Sequence, residues 1–430
     1  MANKTIKVDM LARVEGEGAF KVVLKNGQIE STEFRIFEPP RFYEAFLRGR
    51  SYAEVPDITA RICGICPVAY QMSSVHAMEA AFGVKVGGPL RELRRLLYCG
   101  EWIESHVLHA AMLHAPDFLG FEGAFDMAAA GHADTVKLAL DLKKAGNDIV
   151  NFIGGREIHP INVRVGGFYK VPRKKDFKTL RESLQRARPL AEAFIDWTAS
   201  LPYPDYERDY TMVSLRHPDE YPFSEGHIVS SKGLDIPQAD YPKHFVEKHV
   251  PQSNALHGYM VGGKPYLCGP LPRWNLNYEK LPEPVKAAAK RVGIGSSVNN
   301  PFRSIVVRAL ETLFAVDEAL RVIADYEEPD APSVSYETRA ATGCAATEAP
   351  RGMLFHRYRL AEDGTILEAQ IVPPTSQNQA SIEEDLSGAI AGMLDQPEDV
   401  IRHRCEQTIR NYDPCISCAT HFLKLDIVRG

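Results

Sequence analysis

Two Cys-x-x-Cys pairs stand at opposite ends of this chain, and they constrain its fold more than any other sequence feature. Cys63 and Cys66 lie near the start, in RICGIC, and Cys415 and Cys418 lie near the end, in DPCISCATH. Four thiolates are enough for one metal site, but only in a fold that brings both ends together. A zinc ribbon separates its pairs by about 15–20 residues. We therefore predict a site built by a whole domain rather than by a small zinc module.

The composition of the chain limits the class of protein. Its 430 residues are 45% hydrophobic, enough for a large core, and a chain this long commonly forms two or three domains. The net charge of −6 gives no support for nucleic-acid binding, which usually shows a basic patch. We find no apolar run of about 18 residues, as a membrane-spanning helix needs, and no apolar signal-peptide core at the start. We therefore expect a cytoplasmic protein with no nucleic-acid partner and no membrane span.

Hydrophobic periodicity and turn residues predict an α+β fold that is mainly helical. The first forty residues alternate like strands, and Lys25-Asn26-Gly27 is a hairpin turn signal. Later segments repeat apolar residues every three to four positions, as helices do. We predict strands at 5–8, 19–24 and 29–37, a hairpin at 352–372, a loop at 329–347, and helices at 68–82, 89–108, 127–153, 175–200, 282–292, 301–326, 381–394 and 397–410.

These elements divide the chain into four segments that we expect to form one integrated unit. They are an N-terminal β section with the first cysteine pair (1–66), a helix bundle (67–200), an irregular β-containing insertion (201–276), and a last segment of helices, hairpin and C-terminal cysteine pair (277–430).

The residues around the cysteines bear on the kind of metal. Soft thiolates suit zinc, copper(I), iron–sulfur clusters and nickel, so the cysteines alone leave a structural zinc site open. Arg61 and Asp413 each stand two residues before the first cysteine of a pair, and His421 stands three after Cys418. Such groups suit the control of a redox metal, which a structural zinc site does not need. Outside the pairs we expect buried, small apolar residues, as free cysteine commonly is: Cys99, Cys268, Cys344 and Cys405.

Several separated motifs together resemble the large subunit of nickel–iron hydrogenases. The resemblance covers nearly the whole chain and is most similar to the cytoplasmic, NAD(P)-linked and sulfhydrogenase-like branch. It implies that family's fold, with a central helix bundle and peripheral β sections. The motifs are RVEG at 13–16, Glu44 with RGR at 48–50, RICGIC, APRG at 349–352, VPPT at 372–375 and DPCISCATH.

The resemblance implies a nickel–iron centre. Cys63, Cys66, Cys415 and Cys418 match the nickel ligands, and Cys66 and Cys418 match the pair that also holds an iron with carbon monoxide and cyanide ligands. The pocket for these diatomic ligands matches Pro350, Val372 and Pro373, with Thr375 as a hydrogen-bond donor to cyanide. Pro374 stands where many relatives carry a hydroxyl residue.

The resemblance also implies catalytic residues and a second metal. Glu15 matches the acceptor of the proton released by the terminal Cys415, and Arg351 matches the guanidinium over the metals. Magnesium, or a similar hard ion, is implied at Glu44, the carbonyl of Gln370 and His421.

The implied activity is the reversible, heterolytic cleavage of dihydrogen into protons and electrons. Because the chain has no further cysteine set for iron–sulfur clusters, an iron–sulfur small subunit is implied, and diaphorase subunits that bind flavin and NAD(P) are expected beyond it. The alternatives are the large subunit of a deazaflavin-reducing hydrogenase, a non-catalytic relative without nickel, and a structural zinc protein.

Two residues depart from many relatives, and the end of the chain leaves one question open. Tyr70 stands in place of a histidine, and Ser105 in place of an aspartate. Residues 422–430 are either retained or an extension that is removed after metal insertion.

Overall fold

Small antiparallel sheets surround a helix bundle in the computed structural model, which describes residues 4–420. Three sheets have three strands each: β1 Lys4–Val8, β2 Gly18–Lys25 and β3 Gln28–Ile36; β6 Val213–Arg216, β7 His227–Ser230 and β8 Asp235–Ile236; β11 Ala341–Ala349, β12 Gly352–Leu360 and β13 Ile366–Val372. Two sheets are pairs: β4 Val163–Arg164 with β5 Gly167–Phe168, and β9 Phe245–Val250 with β10 Ser253–Met260.

The α-helices are more extensive than the strands, which confirms the predicted α+β, mainly helical class. They are α1 Tyr43–Leu47, α2 Val55–Thr59, α3 Pro67–Phe82, α4 Gly88–Val107, α5 Ala115–Leu119, α6 Ala124–Met127, α7 Ala133–Gly154, α8 Lys178–Ala199, α9 Tyr241–His244, α10 Pro270–Asn277, α11 Glu283–Arg291, α12 Ser304–Asp325, α13 Pro374–Ile390, α14 Glu398–Arg410 and α15 Ile416–Ala419. Two π-helical stretches, Leu108–His114 and Ala128–His132, adjoin α4 and α7.

The helix bundle consists of α4, α7, α8 and α12. Helices α4 and α7 approach closely where Gly100 and Gly146 face each other, because a Cβ on Gly146 would lie 2.7 Å from the Gly100 carbonyl oxygen. Helix α12 comes from the predicted last segment, so the bundle extends beyond residues 67–200. One hydrophobic core runs from Ile6 to Ala419 and joins residues of all four predicted segments.

The N-terminal hairpin forms as its sequence predicts. Strands β1 and β2 pair with Val22 opposite Ile6, and both of these residues are buried. The turn between β2 and β3 places Asn26 at φ 53° and Gly27 at φ 78°. Two successive positive φ angles suit the right-handed twist of a hairpin, and Asn-Gly adopts them readily.

Five parts of the secondary-structure prediction are wrong. Helix α13 begins seven residues before predicted position 381, because Gln377 and Gln379 are buried and hydrogen-bonded rather than exposed loop residues. Strand β11 occupies part of the predicted loop 329–347; its Ala-rich sequence lacks the usual β-branched pattern. Helix α10 begins inside the predicted β insertion, α1 and α2 lie inside the predicted N-terminal β section, and Gly131, at φ 104°, interrupts the predicted helix 127–153.

Candidate metal centre

The two cysteine pairs, 352 residues apart in sequence, meet at one place inside the protein. The four sulfur atoms of Cys63, Cys66, Cys415 and Cys418 all lie within 4.8 Å of one another. The sulfurs of Cys63 and Cys415, the first cysteines of the two pairs, lie 3.5 Å apart. The sulfurs of the second cysteines, Cys66 and Cys418, lie 3.9 Å apart. The Cys415 and Cys418 sulfurs also adjoin each other, and a metal ion would be bound by the thiolate forms of the cysteines.

Local structure fixes the first pair at the start of a helix. Cys66 caps α3, and Pro67 takes the first helical position, which suits a residue without an N–H. The carboxylate of Glu101, on α4, accepts hydrogen bonds from the N–H groups of Val68 at 2.6 Å and Ala69 at 3.1 Å. Glu101 therefore ties the start of α3, and with it Cys66, to the helix bundle.

Electrostatics distinguish the two thiols of the first pair. The Cys63 sulfur accepts hydrogen bonds from the N–H groups of Ile65 and Cys66, both at 3.3 Å. Hydrogen bonding from the Cys66 thiol lowers the pKa of Cys63, with help from the Arg351 charge. The same hydrogen bond, together with burial, raises the pKa of Cys66. Of the two thiols of the first pair, Cys63 is therefore the more acidic.

Glu15 lies against the second pair. It forms a parallel bridge with Cys415, in which Ile416 N–H donates to the Glu15 carbonyl at 2.8 Å. The Cys415 sulfur lies 3.1 Å from Oε2 of Glu15, and Ser417 N–H donates to the same oxygen at 3.0 Å. The close approach requires Gly16, at φ 89°, because a Cβ there would lie 2.8 Å from the Ile416 side chain. The structure thus brings Glu15 and Cys415 into direct contact.

A buried ion network ties the segment that carries Glu15 to the segment that carries Cys415. Asp117 is paired with Arg13, two residues before Glu15, and accepts from Arg410 through both oxygens, at 2.8 and 3.1 Å. Arg410 Nε also donates to the Ala12 carbonyl at 3.0 Å. The Asp117 carboxylate therefore couples the two segments from outside the centre.

Arg351 extends from the turn between β11 and β12 and is held by Asp413. Its Nε donates to the Asp413 carbonyl at 2.8 Å, and its Nη2 lies 3.1 Å from the Asp413 carboxylate. Asp413 has a positive φ of 52°, a conformation that costs energy for a residue other than glycine. Burial alone would lower the pKa of Arg351, but Asp413 and the nearby cysteines raise it, so the guanidinium stays charged.

Two buried polar atoms beside the cysteines lack a partner within residues 4–420. They are Nη1 of Arg351 and the hydroxyl of Tyr70, which lies close enough to Cys66 and Cys63 for their charge to raise its pKa further, beyond the larger effect of burial. Buried polar groups in proteins are nearly always hydrogen-bonded. Four clustered sulfurs next to an unpaired donor fit a thiolate-bound metal that carries acceptor ligands of its own.

Of the predicted pocket residues, Thr375 contacts a cysteine of the cluster. The Pro350 carbonyl accepts a hydrogen bond from Arg273 at 3.0 Å, and the Val372 carbonyl accepts one from Gln377 at 3.1 Å. Pro373 directly precedes α13. The Thr375 hydroxyl accepts from Cys415 N–H at 2.9 Å, which leaves its own O–H proton available to donate. Pro374 takes the first position of α13 and has no donor for that role.

The residues of the predicted magnesium site are only partly described. Glu44 accepts from Ile371 N–H at 2.7 Å, next to Gln370, whose side chain donates to Glu247 at 3.3 Å. Burial, together with the charge of Glu247, raises the pKa of Glu44 to about 8. His421 lies outside the described residues. Among residues 4–420, the structure therefore brings Glu44 and Gln370 together.

Sequence reasoning missed the buried residues that support the centre. Asp117, Glu101 and Arg273 have no local motif, and each acts on atoms far away along the chain. The departures Tyr70 and Ser105 are both buried. The four cysteines outside the pairs are also enclosed: Cys99, Cys268 and Cys405 are buried, and Cys344 is half-buried.

Comparison with known proteins points in one direction. The family model described as nickel-dependent hydrogenase matches residues 41–147 and 261–421. The chain is 31% identical to the alpha chain of sulfhydrogenase 2 from Pyrococcus furiosus, over 98% of this chain and 100% of that protein. It is 30% identical to an F420-non-reducing hydrogenase chain of Methanothermobacter marburgensis, over 97% of this chain and 94% of that one. A crystal structure of an NAD+-reducing [NiFe]-hydrogenase in the H2-reduced state superimposes with a TM-score of 0.90 and 25% identity, over 98% of this chain and 100% of that one.

Proposed function

The chain belongs to the nickel-dependent hydrogenase family, and on this premise we propose that it is the catalytic large subunit of a cytoplasmic, NAD(P)-linked enzyme that cleaves dihydrogen reversibly. The observation that carries the proposal is the cluster of four buried sulfurs from both ends of the chain, within 4.8 Å of one another. A site of this kind needs the whole fold, as the chain's similarity to full-length relatives also suggests.

Cys63, Cys66, Cys415 and Cys418 would hold nickel, and Cys66 and Cys418 would also hold an iron with carbon monoxide and cyanide ligands. When bound, these metals supply a redox centre at which dihydrogen is polarised and its electrons are taken up. Pro350, Val372 and Pro373 would line the space for the diatomic ligands, and the free O–H of Thr375 would donate to one of them. Glu44, the carbonyl of Gln370 and His421 would hold magnesium.

The protein's own part in the reaction is to move a proton and to exclude water. Glu15 would take the proton from the Cys415 sulfur, which lies 3.1 Å from its Oε2, and the Ser417 N–H donates to the same oxygen at 3.0 Å. A positioned carboxylate of this kind contributes about 10²–10⁴ to a rate. The four cysteines are at most 4% exposed, so charges in the centre act in a medium with little water. Arg351 supplies a fixed positive charge there.

Electrons would leave through partner subunits. The four remaining cysteines form no further cluster of metal ligands in the part of the chain that the structure describes. An iron–sulfur small subunit would therefore take up the electrons, and diaphorase subunits with flavin would pass them to NAD(P), as the similarity to an NAD+-reducing enzyme suggests. Across residues 4–420, no helix has the length and apolar character needed to cross a bilayer.

The alternatives have less support. A structural zinc site does not explain why Arg351 is buried near the sulfurs or why Glu15 contacts the Cys415 sulfur. A relative that has lost its nickel would have no need to keep all four cysteines in contact. No specific observation supports a deazaflavin-reducing hydrogenase, and the similar protein of Methanothermobacter marburgensis is named F420-non-reducing.

The proposal is tested by metal analysis and infrared spectroscopy of the purified complex. We expect one nickel and one iron per chain, and sharp bands in the range where triple-bonded carbon monoxide and cyanide absorb and protein is nearly transparent. Zinc alone, with no such bands, would contradict the proposal. Mass spectrometry of the same sample would show whether residues 422–430 are retained, and so separate an immature chain from a zinc protein.

Asp117→Asn is expected to weaken the contact between Glu15 and Cys415 without touching either residue. The substitution removes the counter-charge of Arg13 and leaves Arg410 paired with Glu406 alone, and breaking a buried pair costs about 3–5 kcal/mol of stability. We expect hydrogen–deuterium exchange to fall about 10–100-fold, the usual effect of losing a supporting partner.

The matched control for Asp117→Asn is Glu79→Gln. Glu79 is a buried carboxylate paired with Arg94 at 2.6 Å, away from the cysteines. Both variants should lose stability, measured by thermal unfolding, but only Asp117→Asn should lose exchange per bound nickel. Equal exchange in the two variants would show that Asp117 has no effect beyond stability.

A further inference from the structure

We propose that Arg273 is a positioning residue for this reaction, which sets the place of Arg351 by holding the backbone directly before it. The inference rests on the proposed function, because it assigns Arg273 to the same centre. Arg273 lies on α10, 78 residues before Arg351 in sequence, and it is fully buried. Within residues 4–420, its hydrogen bonds and ion pairs reach none of the four cysteines, so we assign its effect to the backbone that leads into Arg351.

All five N–H groups of the Arg273 guanidinium are used. Its Nη1 donates to the Ala349 carbonyl at 2.8 Å, and its Nη2 donates to the Pro350 carbonyl at 3.0 Å. The remaining N–H groups donate to Glu311 at 2.9 and 2.7 Å and to Glu348 at 3.2 Å. An arginine has five donors in a rigid fork, so this arrangement leaves no donor free and no freedom to rotate.

The two carbonyls are the ones that determine where Arg351 begins. The Pro350 carbonyl belongs to the peptide bond that leads into Arg351, and the proline ring fixes its own φ. Because Arg273 donates to both preceding carbonyls, it restricts the position of the Arg351 Cα. The guanidinium of Arg351 is fixed in turn by two hydrogen bonds to Asp413, at 2.8 and 3.1 Å.

Contacts with Trp102, Glu311 and Glu348 fix the position of the Arg273 guanidinium. Its guanidinium lies over the Trp102 ring, 4.4 Å from the ring centre, and Trp102 Nε1 donates to the Glu348 carbonyl at 2.9 Å. Glu311 also accepts from the Tyr221 hydroxyl at 2.7 Å and contacts His106 at 3.0 Å. Burial alone would raise the pKa of Glu311, but Arg273 lowers it to about 2, so the anchor stays ionised. The network is therefore a rigid support rather than a flexible pair.

Lysine cannot replace this support. It keeps the positive charge but offers three donors around one nitrogen, without the planar fork. At least two of the five acceptors would lose their partner, and buried acceptors without partners cost free energy that a shift of the backbone relieves. We expect that shift to move Arg351 away from its place beside the sulfurs.

The experiment compares Arg273→Lys with Arg94→Lys in the full chain assembled with its partners. Arg94 is a fitting control because it is also buried and makes a bidentate pair, with Glu79 at 2.6 and 2.8 Å, but does not touch residues 349–351. We expect exchange per bound nickel to fall about 10–100-fold in Arg273→Lys, as for loss of a supporting partner, and to stay near wild type in Arg94→Lys. Wild-type exchange in Arg273→Lys would overturn the inference.

A double variant separates positioning from general loss of structure. If Arg273 acts only through Arg351, Arg273→Lys combined with Arg351→Lys should exchange as slowly as Arg351→Lys alone. Losses that multiply would overturn the inference. If Arg273→Lys fails to fold, Glu311→Gln, which loosens the Arg273 anchor at constant volume, is expected to give a smaller loss with the same lack of additivity; additive losses would count against the inference.

A readout on the metal-free chain distinguishes failure of this inference from failure of the proposed function. A crystal structure of metal-free Arg273→Lys should show the Arg351 side chain displaced from Asp413, whatever reaction the loaded protein performs. An unmoved Arg351 would overturn the positioning role. By contrast, a wild-type complex without nickel or exchange, together with a displaced Arg351 in the variant, would overturn only the proposed function.

Discussion

Replacing Cys415 with serine is expected to abolish hydrogen–deuterium exchange while the protein remains folded. The Cys415 sulfur is the only one of the four in hydrogen-bonding contact with a carboxylate among the described residues, at 3.1 Å from Glu15. A serine hydroxyl is a poor substitute for a thiolate, because the ionised sulfur is the form that binds the metal and accepts the proton. The measurement is exchange between deuterium gas and water, with thermal unfolding as the test of fold.

The control for Cys415→Ser is Cys405→Ser. Cys405 is equally buried, but it lies outside the cluster, and burial raises its pKa to about 12. We expect Cys405→Ser to lose some stability and no exchange. Since Cys415→Ser also removes a proposed nickel ligand, Glu15→Gln completes the comparison: it keeps all four sulfurs and should lower exchange by about 10²–10⁴. Retained exchange in Cys415→Ser, or in Glu15→Gln with nickel bound, would refute the proton route.

The cysteine pairs were accessible to sequence reasoning because of their spacing and neighbours, whereas the role of Glu15 was predicted only from the resemblance of RVEG to the family motif. Cys66 is followed by a helix-starting proline, and Glu15 is followed by Gly16, whose missing side chain permits contact with the segment after Cys415. In each case the signal lies within two residues of the functional group. The separated order of these segments then restricts the fold to one that joins both ends of the chain.

The support of the centre was not accessible in the same way. Asp117 acts on Arg410 across 293 residues, and Arg273 acts on the Pro350 carbonyl across 77. Nothing near either residue in sequence distinguishes it from the many surface charges of a chain with 56 acidic and 50 basic residues. Their roles depend on which backbone groups become buried, and that is a property of the folded chain.

The beginning of α13 illustrates a different limit. The run of Thr, Ser, Gln and Asn after Pro374 resembles a loop in composition, and composition alone therefore predicts a helix that starts only at residue 381. In the structure these polar side chains are buried and bonded to distant backbone, as Asn378 is to Cys268 at 2.9 and 3.0 Å. Polar residues inside a helix bury well when each has its partner, which composition does not reveal.

Arg351→Lys is expected to lower turnover strongly without loss of nickel. In the structure Nε and Nη2 of Arg351 are committed to Asp413, and Nη1 remains buried without a partner among residues 4–420. That geometry leaves one charged donor without a partner near the cysteines, while two others fix the side chain on Asp413. Removing one preorganised donor from an enclosed site costs about 10²–10³ in rate. Lysine keeps the charge, so the loss measures direction and position rather than charge alone.

The measurement for Arg351→Lys is turnover per bound nickel, with metal analysis on the same sample. Nickel should stay at the wild-type level because Arg351 is not a ligand, and the four sulfurs are untouched. Arg94→Lys serves again as the control for loss of a buried bidentate pair, and it should keep its turnover. Two outcomes have distinct meanings. Unchanged turnover in Arg351→Lys would remove the residue from the catalytic set, whereas loss of nickel would mean that its charge holds the metal centre together rather than acting on dihydrogen.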